Sequence, residues 1–299
     1  MPLGTDDVRL GVLHALAAVF VFSAVNALVK WLAARYSVIE IVFFRNAFAL
    51  VPAIMLVMAH GGLASLRTNR PIAHLTRGLT GIISMILFFL AFALLPLADA
   101  TAIGFAAPLF LTALAVPMLG ETVGWRRWTA VVIGFVGVLV MVRPGGDLLQ
   151  LGALAALGAA LSQALAMIQV RQMTRTENSV AILVYLSLLA TVISGLALPF
   201  FWTMPTLLDF GLLAVVELAG GVAQYWLTQA YRYAPASLVS PLNYGGIVWA
   251  TLLGFLIWND APDVQVLIGA GIVILSGVYI VHRETRRRVA VVKAVPPAL

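Results

Sequence analysis

Leu207 to Tyr231 reads LLDFGLLAVVELAGGVAQYWLTQAY, and this stretch decides the fold. At about 1.5 Å of rise per residue it is about one bilayer long. It is apolar except for Glu217 near its middle and for Gln224, Thr228 and Tyr231, which follow Glu217 at helical spacing. A charged residue at that depth costs about 2.5–3.5 kcal/mol on insertion scales, so it faces a polar cavity or a partner. Two readings stand side by side. Glu217 is a structural acid paired with a neighbouring Arg or His, or its stripe walls a substrate pathway and Glu217 binds substrate or a proton.

The rest of the chain repeats this pattern. Of 299 residues, 62% are hydrophobic and only 10% are charged, against about 25% charge in soluble domains. Ten spanning segments are predicted, at Leu10–Leu32, Val38–Ala59, Ile72–Leu95, Leu97–Met118, Trp128–Val142, Leu149–Val170, Val180–Phe201, Leu207–Tyr231, Ala236–Trp258 and Val264–His282. The opening MPLGTDDVRL lacks a signal peptide's basic region and cleavage site, so the first span is expected to stay in the membrane. All connections are short, which leaves no room for a soluble ATP-binding or receptor domain. The basic balance is not a nucleic-acid footprint, because Lys and Arg lie between apolar segments without a basic–aromatic patch. There is no cysteine, and no Walker A, HExxH or nucleophile-elbow sequence occurs. No cofactor, metal or catalytic residue is expected.

Arg9, Arg67, Arg70, Arg126, Arg127, Arg171, Arg175, Arg232 and the basic tail fall on one side of this topology. Only Lys30, Arg35 and Arg143 fall on the other. The positive-inside rule then places both termini in the cytoplasm. The tail, residues 284–299, reads as a basic anchor with a disordered end.

Residues 1–147 and 148–283 echo each other. Ala98-Asp-Ala-Thr-Ala-Ile-Gly is matched by Ala234-Pro-Ala-Ser-Leu-Val-Ser, and Gly120-Glu121 by Asn259-Asp260. Ser23 and Lys30 are matched by Ser162 and Gln169. Five spans per copy is odd, so the second copy is inserted upside down. The expected fold class is an all-α polytopic membrane protein, with ten transmembrane helices as a 5+5 inverted repeat around a central cavity.

The segment Leu95–Gly145, with FFRNAFAL from Phe43 and TRGLTG from Thr76, is similar to the ten-helix EamA branch of the drug/metabolite transporter superfamily. The resemblance covers nearly the whole chain and implies a multi-pass transporter of a bacterial inner membrane. Within that family the chain looks most like the amino-acid exporters. The resemblance leaves other substrates open, among them organic cations, nucleotide sugars and sugar phosphates. The first span has no acid, unlike that of the small four-helix multidrug relatives, and Lys30 stands alone where a phosphate exchanger would want two lysines.

Helical spacing nominates the residues that would line a pathway. They are Ser23 and Asn26 in the first span, Thr80, Ser84 and Phe88 in the third, Phe105 and Pro108 in the fourth, and Ser162 in the sixth. Glu217, Gln224 and Tyr225 follow in the eighth, and Pro241 and Tyr244 in the ninth. The competing reading is ordinary packing, since Ser, Thr and small residues join membrane helices routinely. Pro108 and Pro241 are either hinges or static kinks. Arg45 and Arg77 are the two long cations that could reach Glu217. Spans five and ten carry glycines and little polarity, which suits peripheral packing or a homo-oligomer face. The expected partners are a small-molecule substrate and the lipid bilayer.

Overall fold

A computed structural model describes residues 5–59, 62–142, 148–174 and 176–294. Arg143 and the junction expected between 147 and 148 lie wholly or partly outside them, as do Pro296 and Pro297. The described residues fold as twelve α-helices and two single 3-10 turns, with no strand among them. The helices are α1 (Thr5–Ala33), α2 (Val38–Ala59), α3 (Pro71–Leu94), α4 (Leu97–Gly104), α5 (Ala107–Leu119), α6 (Trp125–Val142), α7 (Leu148–Met173), α8 (Ser179–Ala197), α9 (Leu207–Tyr233), α10 (Ala236–Leu242), α11 (Gly245–Trp258) and α12 (Val264–Ala294). Nine segments among the described residues are long and apolar enough to cross a membrane, with α4–α5 and α10–α11 each counted as one. A shorter apolar stretch, Val264–Ile280, makes the tenth. The protein is an all-helical, ten-span membrane protein.

Local chemistry sets the helix ends. The Asn178 side chain accepts the Val180 N–H at 2.9 Å to start α8, and the Thr206 hydroxyl accepts the Asp209 N–H at 3.1 Å to start α9. Helices α3 and α9 end at Leu95 and Ala234, both extended and both followed by a proline that holds the preceding residue out of helix. Helices α5 and α11 end on left-handed residues, Gly120 (φ 66°) and Asn259 (φ 58°). The next N–H then bonds back into the last turn, Glu121 to the Ala115 carbonyl at 3.3 Å and Asp260 to the Gly254 carbonyl at 3.2 Å.

Spans four and nine are not the continuous helices expected over Leu97–Met118 and Ala236–Trp258. Span four breaks at Phe105–Ala106 and span nine at Asn243–Tyr244. Pro108 has no N–H to offer the Gly104 carbonyl, so the turn before it tightens, with Phe105 N–H on the Ala102 carbonyl at 3.2 Å and Ala106 N–H on Ile103 at 2.9 Å. After Pro241 the same tightening puts Tyr244 N–H on the Pro241 carbonyl at 3.2 Å and Gly246 N–H on Asn243 at 3.0 Å. Another difference is at the tail, where α12 continues to Ala294. No glycine or proline interrupts it before Pro296.

The two broken spans organise the interior. Their halves α4 and α11 pack on each other, whereas α5 packs on α7 and α10 packs on α1 and α12. The α4–α11 contact closes the bundle at the end that carries Lys30. Helices α1 and α9 pair along their length, as do α3 and α7. Spans five and ten, α6 and α12, pack on each other within the chain. Gly134, Gly137 and Gly269 meet the facing helix in that contact, whereas Gly277 lies against Tyr244 and Gly271 faces open space.

Candidate functional site

A cavity of about 410 Å³ lies among α1, α2, α3, α4, α5, α7 and α8. That is within the range of about 300–1,000 Å³ typical of small-molecule sites. Its wall joins Asn26, Arg45, Arg77, Ser84 and Phe88 to residues that spacing alone did not nominate, chiefly Phe89, Phe92 and Gln163. Gln163 could have been found as a mid-span amide one position from Ser162. The helix is rotated so that Gln163, not Ser162, faces the cavity, and the half-buried Ser162 does not line it.

The charge at the opening stretch has a partner. Arg45 Nε donates to Glu217 Oε2 at 3.3 Å, and the Arg45 guanidinium also sits over the Phe89 ring, 5.5 Å from its centroid. The side chains are 33% and 21% exposed, so the pair is only partly desolvated. Arg77 does not make this contact. Its guanidinium folds back along α3 over Gly81, where a Cβ would come within 2.5 Å of Nη1. Its Nε and Nη1 are buried with no hydrogen-bond partner among the described residues.

The other nominated residues divide into two groups. Some hold the broken helices in place. Buried Ser23 donates to its own Val19 carbonyl at 2.9 Å and leans on the Gly246 carbonyl at 3.5 Å. Ser84 instead ties α3 to α7, donating to the Ala159 carbonyl at 3.1 Å. Phe88 covers Gly104, where a Cβ would meet the ring at 2.8 Å. At the breaks themselves the Phe105 and Tyr244 rings touch, 4.8 Å apart, and the Tyr244 hydroxyl lies directly against Gly277 of α12. Pro108 and Pro241 flank these breaks. The second group points elsewhere. Thr80 donates to Gln169 Oε1 at 2.6 Å and does not line the cavity. Gln224 and Tyr225 lie on the exposed side of α9, Tyr225 being 60% exposed. Glu217 does not line the cavity either and meets its wall only through Arg45, so the stripe read from the sequence does not wall this cavity.

Each end of the bundle carries polar ties. At one end Lys30 Nζ donates to the Leu95 carbonyl at 2.7 Å and pairs with Asp260 at 3.1 Å, 5.0 Å from the centre of the Trp258 ring. Tyr36 donates to Asp209 at 2.7 Å nearby. At the other end Arg171 pairs with Glu121, and His74 with Glu177 at 3.1 Å. Hydrogen bonds from Thr68 and His74 hold the Glu177 carboxyl below its usual range.

The Arg45–Glu217 contact yields a measurable coupling. Glu217→Gln and Arg45→Gln each lower the thermal midpoint, and the double variant lowers it by less than their sum. The coupling is about 1 kcal/mol, modest because both groups are partly exposed. A thermal double-mutant cycle in detergent reads it, and strict additivity would refute the pair.

The sequence pattern of the EamA-like transporter family matches residues 9–143 and, a second time, 150–282. The chain is 30% identical to the S-adenosylmethionine uptake transporter of Rickettsia bellii over 88% of this chain and 90% of that one. It is 31% identical to the pseudopaline exporter of Pseudomonas aeruginosa over 91% and 95%. It is 30% identical to the riboflavin transporter of Rhizobium johnstonii over 93% and 92%. A solved crystal structure, 21% identical, superposes with a TM-score of 0.64 over 93% of this chain and 98% of its own, and shares the fold. With its ten spans, its two broken helices and a polar–aromatic cavity beside them, the chain belongs to the EamA-like transporter family.

Proposed function

We propose that the chain is a secondary transporter exporting small zwitterionic metabolites, amino acids in the first place, aromatic and other neutral ones included. It works by alternating access between two inverted repeats. The observation that carries this reading is the cavity beside the broken spans. Arg45, Arg77, Asn26 and Gln163 offer it polar partners, and a phenylalanine wall offers an apolar one. The double family match supports two repeats, and the paired breaks and caps of α4–α5 and α10–α11 support their equivalence. Inverted repeats with discontinuous helices at the substrate site are a recurring transporter architecture. The Lys30 end faces outward in this reading, because most loop Lys and Arg lie at the other end.

Uptake of labelled phenylalanine into proteoliposomes, competed by each of the twenty amino acids, tests the substrate class. Saturable uptake with competition by aromatic and neutral amino acids is expected, and competition by none of them would sink it. In cells preloaded with the same label, export appears as faster loss. The relatives favour one second reading. S-adenosylmethionine joins an α-amino acid to an aromatic base, and competition by it alone would point there.

A further inference from the structure

The cavity's charges do not cancel. Arg45 is neutralised by Glu217, whereas Arg77 keeps two buried N–H groups without a partner among the described residues. Such groups are costly when left unmade, and the cost is recovered if the guanidinium turns into the cavity to meet an acceptor that a substrate brings. Gly81 has a defined part in this arrangement. A side chain there would occupy the space of Arg77 Nη1 and would also meet Leu186 Cδ1 at 2.8 Å, so the glycine is what lets the guanidinium lie back on α3 at the cavity wall. The remaining lining is neutral, with the Ser84 hydroxyl and the Gln163 amide on the same side of the cavity and Phe88, Phe89 and Phe92 along its wall.

We propose that Arg77 is the carboxylate-binding residue of this cavity. The substrate carries a carboxylate that meets the Arg77 guanidinium and an apolar group that lies on the phenylalanines. Arg45, already paired, is not the anion site. This deepens the substrate reading above and rests on it. It also argues against organic cations that carry no carboxylate, because such a cation would enter a cavity whose one unneutralised charge is positive. A fixed planar guanidinium suits a carboxylate better than a mobile ammonium does.

The experiment uses the purified full chain in detergent and reads the thermal midpoint. The probes are the twenty L-amino acids, the carboxamides of those that stabilise, and phenylacetate, which has a carboxylate and no amine. In the unaltered protein, stabilising acids are expected to lose their effect when converted to carboxamides. Arg77→Gln should need about 10- to 100-fold more of each acid, and Arg77→Lys should fall between. Phenylacetate should stabilise the unaltered protein and not Arg77→Gln. If phenylacetate behaves so but no amino acid stabilises, the amino-acid reading fails and the assignment of Arg77 stands. If amino acids stabilise and their carboxamides do so equally, the assignment falls and the amino-acid reading stands. Equal titration of Arg77→Gln and the unaltered chain also overturns the assignment, as does the failure of every probe. Should Arg77→Gln not fold, the comparison of acid with carboxamide on the unaltered protein still decides.

Discussion

Lys30→Met will open the end of the bundle that is closed in this structure. The Lys30 ammonium donates to the carbonyl at the end of α3 and to a carboxylate just past α11, at 2.7 and 3.1 Å. It thereby holds α1, α3 and α11 together above the α4–α11 contact. Charged hydrogen bonds of this kind are worth about 1.5–3 kcal/mol each. Lys30 is 12% and Asp260 32% exposed, so solvent takes part of that. A net loss of about 1–2 kcal/mol shifts the ratio of closed to open by about 5- to 30-fold. Met keeps most of the apolar stem, which leaves the packing against Trp258 largely intact.

The reporter for this shift is simple, because the chain contains no cysteine. Gly254 of α11 is buried where a Cβ would meet Leu97 Cβ at 3.8 Å and no atom closer, so Gly254→Cys is tolerated and sits in the α4–α11 contact. Its labelling by a membrane-impermeant thiol reagent should be slow with Lys30 present and rise by about 5- to 30-fold with Met, and Asp260→Asn should give a smaller rise. Transport should fall in both, since one state becomes overpopulated. Labelling unchanged by either substitution would mean that Lys30 ties a static contact.

Much of this was legible in the chain before folding, and the limits have physical causes. The ten spans follow from hydropathy, because length and apolarity suffice to cross a bilayer. That Glu217 needs a partner follows from its depth. Choosing Arg45 over Arg77 does not, because the choice depends on how α2 and α9 are rotated against each other. Lys30 reads as solitary because its partners are Asp260, 230 residues away, and a backbone carbonyl that no side-chain pattern encodes. Pro108 and Pro241 leave hinge and kink equally open. The breaks are decided by the tightened turns around them and by the Phe105–Tyr244 contact, which joins the two halves of the chain. Gln163 and Ser162 differ by one step of about 100° on a helix, finer than a stripe argument resolves when α7 is mostly alanine and leucine.

Gly269→Val should be the most damaging single change in the bundle, while Gly271→Ala two residues away should be nearly silent. At Gly269 a Cβ would lie 2.5 Å from the Gly137 carbonyl oxygen and 2.5 Å from Met141 Cγ. At Gly137 the reverse holds, with the Gly269 carbonyl oxygen and Ile272 Cβ both at 2.8 Å. Each glycine thus faces the other helix's backbone, which cannot rotate away as a side chain would. Any side chain at Gly269 forces α6 and α12 apart along a contact that small residues keep close. Overpacking of this sort costs about 1–3 kcal/mol, and the branched Val stands at the upper end or beyond. Gly271 has no atom within 4 Å of its would-be Cβ, so Ala there gains helix propensity and loses nothing. Thermal unfolding in detergent separates the two, with Gly269→Val poorly folded or several degrees lower and Gly271→Ala at or slightly above the unaltered chain. The same pair tests the use of these glycines. A role confined to contacts between copies would leave the Gly269→Val monomer as stable as the parent and change only its association, whereas the reciprocal fit of Gly137 and Gly269 requires the single chain to lose stability.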